Sequence, residues 1–294
     1  MGRCGWVLVA EEEGFYNQGD FSPIFFSYLD RSRSIFIPFT FHKGRLVVLT
    51  GQWYQQKYHL DRMNLRELLW AYLSYPGIQI YFLLLVGSCV LALLLAPSFS
   101  GSPWQLGASS LGTLLAYPFV EYGVHRFLLH GRFLYRSPWT AALWKRIHYD
   151  HHQDPNDLRV LFGALSTTLP TIAIATLPIG IAIAGWPGVP LSFATGLGCF
   201  MVYELCHCMQ HLRVTPKNTF LRRIKRHHLL HHFHNEQGNF GITSRICDRI
   251  FGTLYRRPED VPLSATVSNL GYADQERLQY PWVAQLSEET HETH

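Results

Sequence analysis

Histidine is the residue type in this sequence that is best placed to do chemistry. Twelve of the 16 histidines lie between His125 and His234, and all of these except His234 fall into four short clusters. The clusters are VHRFLLHG (His125, His130), IHYDHH (His148, His151, His152), LCHCMQH (His207, His211) and HHLLHH (His227, His228, His231, His232). Imidazole nitrogen binds ions such as iron and zinc, whereas magnesium and calcium prefer oxygen. The clusters therefore predict a site for a transition metal.

Helical spacing favours two metals over one. Residues three or four positions apart share a face of a helix, so the second, third and fourth clusters each direct imidazoles to one side. The five-residue gap between His125 and His130 corresponds to about 140° on an ideal helix. These two histidines therefore either address different metals or lie where a helix ends. The combined set of imidazoles suits a pair of ions of the iron or zinc type.

Two acids and one amide are candidates to support this site. Glu121 lies four residues before His125, and Glu204 lies three residues before His207, so each shares a helical face with a histidine. A carboxylate that accepts an imidazole N–H fixes the tautomer of the ring and raises its basicity. The alternative for either acid is a side chain that reaches water. Asn239, within GNFG, is either a weak oxygen ligand or a turn residue.

The composition indicates a membrane protein. Of the 294 residues, 48% are hydrophobic and only 16% are charged, which is too little charge for an ordinary soluble surface. The net charge of +4 is mild and the basic residues are not interleaved with aromatic ones, so nucleic-acid binding is not predicted. The six cysteines form no CxxC pair, which argues against a disulfide framework. No cleaved signal peptide is expected at the amino terminus.

Four apolar stretches predict membrane-spanning helices. They cover residues 78–96, 105–120, 161–184 and 189–205. Only short turns separate the first stretch from the second and the third from the fourth, so the predicted fold is an all-α integral membrane protein with four transmembrane helices in two hairpins. Neither hairpin turn contains Lys or Arg, and by the positive-inside tendency both termini and the loop between the hairpins lie in the cytoplasm.

The position of the clusters bears on the class of function. The first and third clusters follow the apolar cores of the second and fourth predicted spans, so all four lie at the cytoplasmic face of the membrane. Metal transport sites lie near the bilayer midplane, and a haem held by two histidines needs histidines inside the spans. A membrane metal transporter or haem carrier is therefore the remote alternative to an enzyme.

The chain divides into three parts. Residues 1–62 form an N-terminal extension with strand-like runs such as SIFIPFTF and RLVVLT, and no function is predicted for it. Residues 63–257 form the membrane-embedded domain, which opens with a capping-box pattern at Asn64 and Glu67 and a helix that ends at Pro76. Residues 258–294 are a polar C-terminal tail, which we expect to be loosely ordered.

The order HxxxxH, HxxHH, HxxxH and HxxHH, interleaved with two membrane hairpins, resembles the fatty acid hydroxylase superfamily, which also contains sterol desaturases and carotenoid hydroxylases. EYGVHRFLLHG, HHQDPND and KRHHLLHHFHNEQGNFGITSRICDRIFGTL are similar to its fatty acid 2-hydroxylase branch. The resemblance implies a cytoplasmic helical cap that holds a dimetal site, but it does not decide the role of His227. It implies metal ligands at His125, His130, His148, His151, His152, His207, His211, His228, His231 and His232.

The resemblance also implies an activity. A pair of irons would use dioxygen to hydroxylate a lipid acyl chain at carbon 2, with zinc replacing iron in overexpressed protein. The sequence does not separate hydroxylation from desaturation. Arg159 comes one residue earlier than in the 2-hydroxylases and Asn239 is more typical of sterol desaturases, so a sterol or carotenoid is the alternative substrate. No haem-binding HPGG loop precedes the site, which predicts a separate electron-donor protein.

Overall fold

The chain forms two compact units, residues 1–57 and residues 58–294. The structure is a computed structural model that describes residues 58–292 and, within the first unit, the backbone of four strands. The strands are β1 (Val7–Val9), β2 (Pro23–Tyr28), β3 (Ile35–His42) and β4 (Arg45–Val48). They pair in sequence order as an antiparallel sheet. The two runs that predicted strands therefore correspond to β3 and β4.

The second unit is built from helices. Their bounds are α1 (Leu65–Ser74), α2 (Pro76–Leu95), α3 (Pro103–Gly123), α4 (Pro138–Trp144), α5 (Asp150–Gln153), α6 (Leu158–Leu161), α7 (Leu165–Ala184), α8 (Val189–His211), α9 (Thr219–Phe233), α10 (Ile246–Ile250), α11 (Asp274–Gln279) and α12 (Trp282–Glu292). Two π-helical turns, Val124–Leu129 and Lys145–Tyr149, continue α3 and α4.

Three segments in the described part of the chain are long and apolar enough to cross a membrane. They are Pro76–Leu95, Leu158–Ala184 and Trp186–His211, and they coincide with three of the four predicted spans. The remaining predicted span corresponds to α3, a 21-residue helix that contains Pro118. Helix α8, which ends at His211, packs against the other three long helices, α2, α3 and α7.

The start of α1 matches its sequence signals. The Asn64 side chain accepts the backbone N–H of Arg66 and Glu67, and the Glu67 carboxylate accepts the N–H of Asn64, which completes the predicted capping box. Helix α1 ends at Ser74, and Pro76 opens α2 with its ring at the first helical turn, where no N–H is required.

The C-terminal segment is packed onto the fold, so the expectation of a loosely ordered tail is wrong. Leu270, Tyr272 and Val283 are fully buried and form a core cluster with residues of the segment 134–149. The indole N–H of Trp282 donates to the carbonyl of Tyr135 at 2.6 Å. A few well-placed apolar side chains are enough to dock this segment, although its overall composition is polar.

We expect Tyr272→Ala to destabilise the protein by about 3–5 kcal/mol, since it removes a fully buried aromatic side chain. The Tyr272 ring lies 5.4 Å from the ring of Tyr135 and 6.2 Å from that of Trp144. The measurement is the thermal unfolding midpoint of the detergent-solubilised protein. Leu278→Ala is the control, because Leu278 is 86% exposed. Equal midpoints for both variants would contradict the packing of this segment.

Candidate metal centre

All ten predicted ligands are carried to one region of the second unit by five elements. His125 lies in the first π-helical turn and His130 directly follows it, while His148 lies in the second turn. Helix α5 contributes His151 and His152, and the end of α8 contributes His207 and His211. Helix α9 contributes His228, His231 and His232. Nine of the ten are buried and His130 is half-buried, so these imidazoles face each other rather than water.

The histidines form two groups whose nitrogens converge. The ligand atoms within each group lie within 4.8 Å of one another. One group is His151, His207, His211, His228 and His232, and the other is His125, His130, His148 and His231. His152 joins His231 and His232 in a third set that links the two groups. His227 belongs to no such group among the described residues.

The distances between the ring nitrogens match those between ligands of one ion. His130 Nε2 lies 2.9 Å from His148 Nε2, 3.1 Å from His231 Nε2 and 3.3 Å from His125 Nε2. In the other group, His211 Nε2 lies 2.9 Å from His228 Nε2. Nitrogen ligands that bind one ion at about 2.1 Å lie roughly 3.0–3.4 Å apart. The spacing therefore fits a metal ion in each group.

The first π-helical turn explains how His125 and His130 meet. The backbone N–H of His130 donates to the carbonyl of His125 at 3.2 Å, which is the i to i+5 hydrogen bond of a π-helix. The helix ends at His130, and both rings lie in the same group. Of the two alternatives left open by the sequence, the structure supports a helix end.

Buried nitrogens and depressed pKa values both suit metal binding. Burial lowers the pKa of His152 and of His231 to about 3, so both rings are neutral at pH 7 and keep a lone pair for a ligand bond. Both ring nitrogens of His151 and His232, and Nε2 of His152, lack a hydrogen-bond partner within the described structure. Unpaired buried nitrogens are costly, and a bound ion removes this cost.

An apolar cavity opens beside the histidines. It encloses about 1080 Å³ including its mouth and is lined by α3, α7 and α8. His207 and Gly196 both line it, and the eleven positions that separate them on α8 correspond to a length of about 16 Å along the cavity. The hydroxyl groups of Thr113 and Thr176 donate to carbonyls of their own helices, so these threonines leave the cavity wall apolar.

The family model of fatty acid hydroxylases matches residues 110–253, the segment that contains all ten histidines. The chain contains a fatty acid hydroxylase domain. The hydroxylase domain aligns with "Ceramide very long chain fatty acid hydroxylase SCS7" of Saccharomyces cerevisiae at 36% identity, over 51% of this chain and 38% of the relative. "Fatty acid 2-hydroxylase" of Mus musculus is 32% identical over 51% of this chain and 40% of the relative. "Dihydroceramide fatty acyl 2-hydroxylase FAH1" of Arabidopsis thaliana is 32% identical, over 48% of this chain and 58% of the relative. The match thus spans about half the length of these relatives.

A solved structure extends the likeness to the fold. Full-length scs7p, of which only the hydroxylase domain is visible, superposes with a TM-score of 0.54 at 25% identity, over 76% of each chain. This covers more of the present chain than the family model does. The fold of the hydroxylase domain therefore includes residues outside 110–253.

Three histidines of the hydroxylase domain are oriented by backbone carbonyls. His125 Nδ1 lies 2.5 Å from the Phe240 carbonyl, and His231 Nδ1 lies 2.8 Å from that of Gly238. His152 Nδ1 lies 2.9 Å from the carbonyl of Val267, in the C-terminal segment. An Nδ1–H that donates to these oxygens leaves Nε2 free for a metal. Sequence reasoning missed all three partners, because a backbone carbonyl has no residue signature.

Glu121 is not hydrogen-bonded to His125, its predicted partner. The sequence predicted a hydrogen bond from His125, but the Glu121 carboxylate accepts the N–H groups of Ile242 and Thr243 at 2.6 and 2.9 Å, and also the Thr243 hydroxyl. These bonds hold the loop whose Phe240 carbonyl meets His125. The prediction of a direct hydrogen bond is wrong because the π-helical turn starts between Glu121 and His125. It breaks the α-helical face that the two residues would share.

Glu204 likewise does not bond to its predicted partner. One oxygen accepts the N–H of Gly163 at 2.9 Å, while the other has no partner among the described residues. The ring nitrogens of His207 also lack a hydrogen-bond partner there. The predicted bond between Glu204 and His207 is therefore not formed, and the acid lies at the cavity wall instead.

Asn239 is a turn residue in the hydroxylase domain. Its φ of 57° is in the left-handed region, which Asn adopts more readily than most residues. Its side-chain oxygen accepts the N–H of Tyr255 at 3.1 Å. The nearby acid Asp248, which sequence reasoning missed, accepts the N–H groups of Phe240 and Gly241. An acid within the apolar run ICDRIF was the available signal.

We expect Glu121→Leu to free the loop that holds His125. The amides of Ile242 and Thr243 lose their buried acceptor, which corresponds to about 10- to 100-fold faster hydrogen exchange. The measurement is hydrogen–deuterium exchange followed by mass spectrometry, with a peptide from α1 as the internal reference. Glu259→Leu is the control at an exposed acid. Unchanged exchange in the Glu121 variant would show that the carboxylate does not anchor the loop.

Proposed function

We propose that this chain is a membrane-embedded, dioxygen-dependent hydroxylase of lipid acyl chains. The observation that carries the proposal is the juxtaposition of ten converging imidazoles with an apolar cavity. The names of the relatives, which are fatty acid and ceramide hydroxylases, support the same class of reaction.

The ten histidines are proposed as ligands of two irons. The two converging groups and the unpaired buried nitrogens support this assignment. An all-nitrogen donor set suits iron and also zinc, so zinc is proposed as a substitute in overexpressed protein. When bound, the iron pair supplies the oxidising power for attack on an unactivated C–H bond with dioxygen. A separate protein is proposed as the electron donor.

The residues of the chain itself position the substrate and exclude water. The cavity between α3, α7 and α8 holds an acyl chain by apolar contact, and its length of about 16 Å is close to half of the roughly 30 Å hydrocarbon core. A chain that fills one leaflet would therefore end with its head group beside His148 and His207, which line the same cavity. Fixing the chain there places a carbon close to the carbonyl beside the metal centre.

Carbon 2 is the proposed position of hydroxylation. Two of the three relatives named above are described as 2-hydroxylases, and none is named as a sterol or carotenoid enzyme. A sterol or carotenoid substrate is therefore not favoured. A metal transporter is not favoured either, because the histidines lie at helix ends and in the segments between them.

The proposed membrane arrangement adds α3 to the three apolar segments. The contacts of α3 with α7 and α8 support its place as a fourth span in two hairpins. The metal centre and both termini are then cytoplasmic, where a reductant is available, and the helices around the histidines form a cap. In this arrangement residues 63–257 are the catalytic domain, residues 1–62 an extension and residues 258–294 a C-terminal segment docked on the cap.

We expect purified protein to contain two metal ions per chain, and His151→Ala and His231→Ala to lose metal. Loss of a ligand should lower metal affinity by more than the roughly 10- to 100-fold seen for outer partners of metal ligands. The measurement is metal content by elemental mass spectrometry. His234→Ala is the control, because the Nε2–H of His234 donates to the Val261 carbonyl, 2.9 Å away, and the ring lies outside the converging groups. Full metal content in both ligand variants would contradict the assignment of these histidines as metal ligands.

Lipid mass spectrometry of cells with and without the gene tests the function. We expect acyl chains to gain one oxygen, located at carbon 2 by fragmentation, and we expect cells that express His151→Ala to lack this product. Altered sterols or carotenoids with unchanged acyl chains would move the function to that alternative, and a new double bond would identify a desaturase.

A further inference from the structure

Five arginines lie on or beside α9 and α10. Arg223 and Arg226 are exposed on α9, Arg249 is exposed on α10, and Arg245 and Arg256 flank α10 on either side. None of the five forms an ion pair with an acid in the described part of the chain. Burial lowers the pKa of Arg245 most, and the positive charges of neighbouring arginines lower it further. These five residues, here called the arginine surface, therefore repel one another and fit an anion.

Exposed apolar side chains border the arginine surface. Ile246, Ile250 and Phe251 are 52%, 59% and 51% exposed. Ile246 and Ile250 are four residues apart and share a face of α10, and Arg245 and Arg249 repeat at the same interval beside them. Basic and apolar side chains arranged in this way are typical of a helix at the interface between membrane and water.

Contacts with α3 place α10 beside the C-terminal end of α3. The Cys247 thiol donates to the Pro118 carbonyl at 3.3 Å, and the Phe251 ring stacks on Tyr122 with centroids 5.1 Å apart. Leu115 and Phe119 of α3 also expose large apolar side chains. If α3 spans the membrane, the exposed side chains of α10 continue its lipid-facing surface and the arginines lie at headgroup depth.

We propose that the arginine surface binds anionic phospholipid headgroups of the leaflet that faces the metal centre. A guanidinium group donates two parallel hydrogen bonds to phosphate or carboxylate oxygens, which gives such a site both affinity and orientation. Ile250 and Phe251 favour a lipid over an acidic protein as the occupant, because they would enter the acyl region beside the bound headgroup. The proposal rests on the proposed membrane placement but not on the hydroxylation chemistry.

Native mass spectrometry of the full chain tests the proposal. The protein is purified in detergent with equal amounts of phosphatidylserine and phosphatidylcholine, and the ratio of the two retained lipids is measured. We expect wild type to retain much more phosphatidylserine than phosphatidylcholine, and the triple variant Arg223→Gln, Arg245→Gln, Arg249→Gln to lower this ratio by about 100-fold, since each arginine contributes about fivefold. The preference should also decrease as salt is raised.

A charge-matched control separates the arginine surface from total charge. Arg62→Gln, Arg132→Gln and Arg136→Gln remove three exposed arginines elsewhere and should leave the lipid ratio unchanged. If the triple variant has a lower unfolding temperature than this control, the single variant Arg249→Gln at an exposed position replaces it, with an expected fivefold loss.

Two outcomes would overturn the proposal. Both begin with an equal lipid ratio in wild type and variant. If the variant is also reduced at the wild-type rate by a reduced acidic ferredoxin, the arginine surface binds neither partner; if it is reduced more slowly, the arginine surface is assigned to a protein partner. A wild type that prefers phosphatidylserine but forms no hydroxylated lipid would leave this proposal intact and reject only the proposed function.

Discussion

The rest of the structure depends on one constraint, which is that the ring nitrogens of buried imidazoles need bonding partners. Burial and neighbouring histidines hold the pKa of His148 and His228 well below the ordinary value, so these rings are neutral and their lone pairs must be used inside the protein. Histidines from separate elements meet that need together, because their nitrogens point to common centres. The two π-helical turns, the ends of α8 and α9 and the short α5 are the parts of the fold that make this convergence geometrically possible.

Two buried acids act on the histidines through backbone groups rather than by direct contact. Glu121 and Asp248 both accept backbone N–H groups of the loop 240–243, and carbonyls at and beside this loop then meet His125 and His231. A change in either acid would therefore reach the metal centre through the position of a peptide group. A carboxylate in direct contact with an imidazole would instead accept its ring N–H and fix its tautomer.

The sequence predicted features that follow from local spacing. The capping box at Asn64 and three of the four apolar segments depend on neighbours along one helix, and the structure agrees with them. Histidines four residues apart, His207 with His211 and His228 with His232, also share a group, but those three apart, His148 with His151 and His228 with His231, lie in different groups. The hydrogen bonds predicted for Glu121 and Glu204 are not formed. The prediction for Glu121 assumed a regular α-helix, whereas a π-helical turn begins at that point. The role of Val267 could not be predicted, because any residue type supplies the same carbonyl. The docked C-terminal segment was missed because three buried apolar residues are few within a polar composition.

The bond between His152 and Val267 sets an order in time as well as in space. A ribosome makes the histidines from 125 to 232 first, and the loop that holds His125 and His231 soon afterwards. The carbonyl that orients His152 is made later, in a segment that is docked by Tyr272 and Val283 further along the chain. While the nascent chain lacks this segment, the imidazole that links the two histidine groups has no partner to fix its ring. Completion of the centre is therefore a late event in the biogenesis of this protein, after its apolar helices have already been translated.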